Sequence, residues 1–169
     1  MDSFIAYLEE KYQNIEISNY EAKNTEGYEG YVSESFEFYQ ETGADIIGDK
    51  IYIQPLSFLK IIENPFKLEK REFPIDFGYA FKDMFLVNIS IPEGYTLESQ
   101  LKPISIKMPN ELGEVKFIPS MVGNKIQLSV IFDIKKATIG AENYEFLKEF
   151  YTQVIIKEAE QIVLTKIKP

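Results

Sequence analysis

Carboxylates, lysines, tyrosines and hydroxyls are the polar groups this chain has to work with, because none of its 169 residues is cysteine, histidine or tryptophan. Histidine is the one side chain whose unperturbed pKa falls between about 5 and 8, and cysteine is the most potent ordinary nucleophile. Without them a Ser/His/Asp or Cys/His triad cannot be built from these residues, and zinc sites of the Cys/His kind are excluded as well. The composition points away from a self-contained hydrolase. Carboxylate pairs of the kind a glycosidase uses remain, at Glu34/Glu37, Asp45/Asp49 and Glu111/Glu114. With 27 acids in the chain such neighbours arise by chance, so catalysis is the minor expectation. Glu41, Asp45 and Asp49 gather oxygens near Gly43 and Gly48, but not at the spacing of an EF-hand loop. No cofactor or metal is expected. Asn88-Ile89-Ser90 is a glycosylation sequon that falls inside an expected strand.

The acids are unevenly spread. Residues 1–49 carry twelve of them against Lys11 and Lys23, a net of -10, whereas residues 50–169 hold sixteen bases and fifteen acids. The whole formal charge of -9 therefore resides in the first segment. Such a segment is either a solvated face or a surface for a basic neighbour, and the solvated face is the commoner case. The sign opposes phosphate backbones, so no nucleic-acid partner is expected. No run approaches about 18 apolar residues, and Met1-Asp2-Ser3 lacks a basic start, so a chain that neither spans nor enters a membrane is expected.

Those residues must be positioned by elements that the apolar spacing outlines. At 45% hydrophobic and 27% charged the chain reads as globular, with 13 Phe and 11 Tyr to fill a core. Asp2 or Ser3 can cap a short helix carrying Phe4, Ile5, Leu8 and Tyr12 and ending near Gln13-Asn14. Ile15–Tyr20 and Tyr31–Tyr39 read as strands, with Gly27 and Gly30 between them. A turn at Gly48-Asp49 leads into a strand over 50–54 that stops at Pro55. Period-two alternation marks Phe85, Val87, Ile89 and Ile91, then Ile104, Ile106 and Met108, and then a hairpin from Val115 and Phe117 through Gly123-Asn124 into Ile126–Ile134. After Gly140 the period becomes helical, with Phe146, Leu147, Phe150, Tyr151 and Val154 as a stripe, and residues 161–167 favour a last strand. Strands at this spacing without intervening helices predict a mainly β fold, an immunoglobulin-like antiparallel β-sandwich with a short N-terminal helix and a C-terminal amphipathic helix. One domain over 1–169 is expected, with 1–49 as its acidic lead-in and 50–169 as its main body.

The densest local signature is aromatic. Glu63-Asn64-Pro65-Phe66-Lys67, Arg71-Glu72-Phe73-Pro74-Ile75-Asp76-Phe77-Gly78-Tyr79, Ile91-Pro92-Glu93-Gly94-Tyr95 and Tyr144–Tyr151 follow in order. Pro65 and Pro74 push Asn64 and Phe73 toward extended backbone, and Gly78 suggests a bulge or a close backbone approach. Phe66, Phe73, Phe77, Tyr79 and Phe81 are either core aromatics, the commoner case, or the lining of a groove that stacks sugars or grips a peptide. Lys67, Lys70 and Arg71 are a small basic cluster beside them, solvated in the commoner reading and a contact for an acidic surface in the other.

Over roughly residues 50–169 these motifs resemble the C-terminal β-domain of bacterial transglutaminase-like proteins, which are described as candidate proteases. The resemblance implies an upstream papain-like transglutaminase domain as neighbour, a periplasmic or cell-envelope setting, and catalytic Cys/His/Asp residues that belong to that core and have no counterpart here. The expected function is a non-catalytic accessory or scaffold domain that packs against that neighbour or binds another protein. A carbohydrate- or peptide-binding module with an exposed aromatic groove is the alternative.

Overall fold

The computed structural model describes residues 2–12, 15–24, 32–41 and 43–168. They form two compact units, Met1–Asp45 and Ile46–Pro169, which divide close to the boundary where the charge changes. The first unit contains a helix, α1 (Asp2–Tyr12), and an antiparallel ribbon of β1 (Glu16–Lys23) and β2 (Ser33–Tyr39). Among the described residues, Leu8 and Ile15 are its buried apolar side chains. The Ile17 amide donates to Glu9 at 2.8 Å, and Phe4 meets Tyr20 edge-on at 5.6 Å, so strand and helix are held together by a few contacts. Gln13-Asn14, Gly27, Gly30 and Tyr31 lie outside the described residues.

The remaining strands are β3 (Ala44–Ile47), β4 (Lys50–Ile53), β5 (Ile75–Asp76), β6 (Phe81–Ser90), β7 (Tyr95–Leu97) and β8 (Ile104–Lys107). They continue with β9 (Gly113–Val122), β10 (Lys125–Ile134), β11 (Thr138–Ile139) and β12 (Ile162–Lys166), the last preceded by the helix α2 (Tyr144–Glu158). One four-stranded sheet runs β6-β10-β9-β8, another runs β3-β4-β12-β7, and β11 pairs with β5. The fold is mainly β, with antiparallel pairing in both larger sheets.

Strict alternation in β10 explains why it sits centrally. Ile126, Leu128, Val130, Phe132 and Ile134 are all buried on one face, and each buried side chain of this size contributes about 1.5–3 kcal/mol. Leu128 to Ile134 pack with the buried face of α2, while Ile126 packs with Ile51, Ile162 and Leu164 of the second sheet. The hairpin from β9 to β10 turns at Gly123, where φ is 60°, a conformation open to glycine without a Cβ penalty.

Three details depart from the sequence expectation. Phe146 is 48% exposed, because the buried stripe is centred on Tyr144, Leu147, Tyr151, Val154 and Glu158, with Phe150 at its edge, and Phe146 falls one position beyond that edge. Gly78 forms a turn rather than a bulge: φ is 80°, its amide donates to Asp76 Oδ1 at 2.8 Å, and no atom would crowd a Cβ there. Close approach occurs at Gly113 instead, where a Cβ would lie 2.8 Å from the Asp133 carbonyl oxygen and 2.6 Å from Met108. Gly113→Ala is therefore expected to destabilise the domain by about 1–3 kcal/mol through overpacking, read as a lower midpoint in urea denaturation.

Candidate functional site: an aromatic strap and the cleft beside it

Residues 54–80, between β4 and β6, lack long elements of their own and are held by α2. The Ile61 amide donates to Glu158 Oε2 at 2.7 Å, near the end of the helix. Asn64 Nδ2 donates to the Lys148 carbonyl at 2.8 Å and to Thr152 Oγ1 at 2.9 Å, while its Oδ1 accepts from the Phe66 amide at 2.9 Å. The Leu68 carbonyl accepts from Tyr144 Oη at 2.9 Å and Lys148 Nζ at 3.0 Å, near the start of the helix. The strap thus runs antiparallel to α2. Its anchor is Phe66, edge-on to Tyr151 at 5.0 Å, to Tyr144 at 6.1 Å and to Phe77 at 6.4 Å.

The aromatic and basic residues singled out in the sequence are dispersed by this arrangement. Phe66 is in the core. Phe77 is half-buried and meets Phe81 at 5.9 Å, and Tyr79, exposed, meets Phe81 at 6.4 Å. Together with Lys82 and Asp83 these three rings border a shallow groove of about 480 Å³. Phe73 is 75% exposed and does not line that groove. Lys67 pairs with Glu63 at 2.8 Å in solvent, where an ion pair contributes about 0–1 kcal/mol, and Lys70 and Arg71 are exposed.

The sequence-adjacent acids are engaged locally. Tyr20 Oη donates to Glu34, Asn19 Nδ2 donates to Glu37, and Glu114 accepts from Ser105 Oγ while pairing with Lys107 and Lys116. The Ser105 hydrogen bond, helped by the two lysines, holds Glu114 below the usual carboxylate range. Among the described residues no three acids converge as metal ligands, Glu41, Asp45 and Asp49 included.

A second constellation was not visible as a motif. Beside the strap lies a cleft of about 220 Å³ walled by Phe81, Phe85, Phe132 and Tyr151 and closed on one side by Leu59 and Ile61. Its charged lining residues are Asp83, on the cleft-facing side of β6, and Glu158, which is 4% exposed. Burial pushes the Tyr151 phenol up to about 12, and the Asp83 and Glu158 charges add to the effect. Burial also raises Glu158, against the Ile61 amide bond that favours its charged form. Glu158 had one sequence signal, since it continues the buried stripe of α2 as an acid at an apolar position. A further cleft of about 300 Å³ shares Glu158 and has Leu56, Phe117, Leu128 and Ile162 among its lining.

Strap, helix and cleft all fall within residues 49–164, which match the family described as a domain of unknown function with a solved structure, DUF3858. The chain belongs to this family. Outside the DUF3858 match lie the helix α1 and the ribbon of β1 and β2. A solved structure of a "putative protease" from Parabacteroides distasonis is similar in fold, with a TM-score of 0.50 and 14% identity over 58% of this chain. The DUF3858 chain spans 19% of the length of that structure's chain. None of the curated proteins matches the sequence.

Proposed function

We propose that this DUF3858 chain is a non-catalytic accessory domain of a transglutaminase-like protein, packing against a neighbouring domain or binding a partner through its surface. The observation that carries this reading is the position of the motifs that bear the family resemblance. Asn64-Pro65-Phe66 and Tyr144–Tyr151 are engaged with each other, strap against helix, and the Asn64 side chain makes its three hydrogen bonds inside the domain. Catalytic motifs turn polar atoms toward a site where substrate can reach them; here the Asn64 amide and the Tyr144 hydroxyl are turned to the strap–helix contact. The isoleucine-rich core shared by the two larger sheets supports an immunoglobulin-like sandwich as the scaffold. The acidic surplus of the first segment suits a basic surface on the neighbour.

Purified chain incubated with fluorogenic casein is expected to release no more fluorescence than buffer. Turnover that disappears in Asp83→Asn or Glu158→Gln would overturn the reading. A carbohydrate- or peptide-binding module is the second reading, favoured by the exposure of Phe73 and Tyr79, at 75% and 71%. A blank glycan array would remove its carbohydrate form, whereas binding lost in Tyr79→Ala would support it.

A further inference from the structure

We propose that the free edge of β6 and the adjoining cleft form one docking site for an extended segment of a partner protein, carrying a lysine or arginine between apolar residues. β6 is the outer strand of its sheet over ten residues, Phe81–Ser90, and no proline interrupts it. Among the described residues its backbone bonds only with β10. Such an edge presents a row of unpaired N–H and C=O groups, the arrangement by which sheets capture extended peptides.

Side chains of an added strand alternate between the two faces of the sheet, and here the two faces differ in chemistry. On one, Met84 and Leu86 are 64% and 58% exposed beside Ile131 and Ser129 of β10, a surface for apolar residues. On the other, Asp83 opens onto the cleft with Phe85, Tyr151 and the buried carboxylate of Glu158. Neither acid has a lysine or arginine at ion-pair distance among the described residues. A buried carboxylate without a counter-charge is costly, and a cation seated between two carboxylates and aromatic faces gains from both. A second copy of this chain fits less well, because the lysine of its own β6, Lys82, lies on the Met84 face and away from the cleft.

The inference rests on the accessory-domain reading in taking the partner to be bound rather than converted. The test is fluorescence anisotropy of the intact chain with a labelled peptide of alternating threonine and valine and one central lysine, compared with its norleucine counterpart. The lysine peptide is expected to bind at least about tenfold tighter. That preference should fall below about twofold in Asp83→Asn, an exposed position whose substitution leaves the fold intact, and in Glu158→Gln. Equal affinity for the two peptides overturns the proposal, and so does unchanged affinity after proline is placed on either side of the lysine. A dimer in light scattering that ignores both peptides would assign the edge to a second copy and overturn it as well. Selective binding followed by cleavage would uphold the docking site and sink the accessory-domain reading, so the two failures are distinguishable.

Discussion

Phe66→Ala is expected to cost the domain about 3–5 kcal/mol, a large share of the stability of a single domain. The ring is 9% exposed and touches Tyr144, Tyr151 and Phe77, so truncation removes its transfer free energy and leaves a cavity between strap and helix. Neighbours cannot close that cavity easily. Asn64 fixes the backbone on one side of Phe66, and the Leu68 carbonyl is held by Tyr144 and Lys148 on the other. Phe73→Ala supplies the contrast, since Phe73 is 75% exposed and its loss should stay within about 0.5 kcal/mol. Urea denaturation of the two variants reads the difference directly. Similar midpoints would mean that Phe66 does not anchor the strap.

The second large effect concerns Glu158, which burial makes a weaker acid in the folded chain than in the unfolded one. A group whose folded pKa is raised contributes stability that is fully present below its unfolded value of 4.5 and is lost as pH rises through the folded pKa. Glu158→Gln keeps an oxygen to accept from the Ile61 amide and removes the charge. It is therefore expected to be more stable than the parent at neutral pH, with the advantage shrinking toward zero as pH falls below the ordinary Glu range. Glu158→Leu removes the acceptor too and should lose about 1–3 kcal/mol by leaving a buried amide unpaired. Thermal melts across the pH range check both. Glu114, held low by Ser105, acts with the opposite sign and is common to all three proteins, so it cancels in the comparison. A Glu158→Gln chain less stable than the parent at neutral pH would show that the carboxylate has a charged partner in solution.

Much of the fold was legible because long strands and helices repeat their pattern several times. β10 alternates over its full ten residues, β6 and β9 alternate over shorter runs, and the α2 stripe repeats over four helical turns. β3, β5, β7 and β11 span two to four residues, too few to show a period, and their pairing is set by the sheets that receive them. The candidate site was harder to read. Local spacing could group Phe66, Phe73, Phe77 and Tyr79, but not distribute them between core and solvent, because Phe66 is positioned by α2, some eighty residues downstream. The cleft was hidden for the same reason. Asp83, Tyr151 and Glu158 come from β6 and α2 and meet only when the helix docks on the sheet. The absence of cysteine and histidine, the plainest signal in the sequence, directs attention away from catalysis and toward surfaces such as the β6 edge and the Phe77–Phe81 groove.

A domain that binds and does not convert leaves a clear signature in mass spectrometry of a defined peptide mixture before and after incubation with the purified chain. Every peptide is expected to keep its mass, while a subset rich in lysine or arginine between apolar residues co-elutes with the protein. New cleavage or cross-linked products that form with the parent chain but not with Asp83→Asn or Glu158→Gln would contradict it.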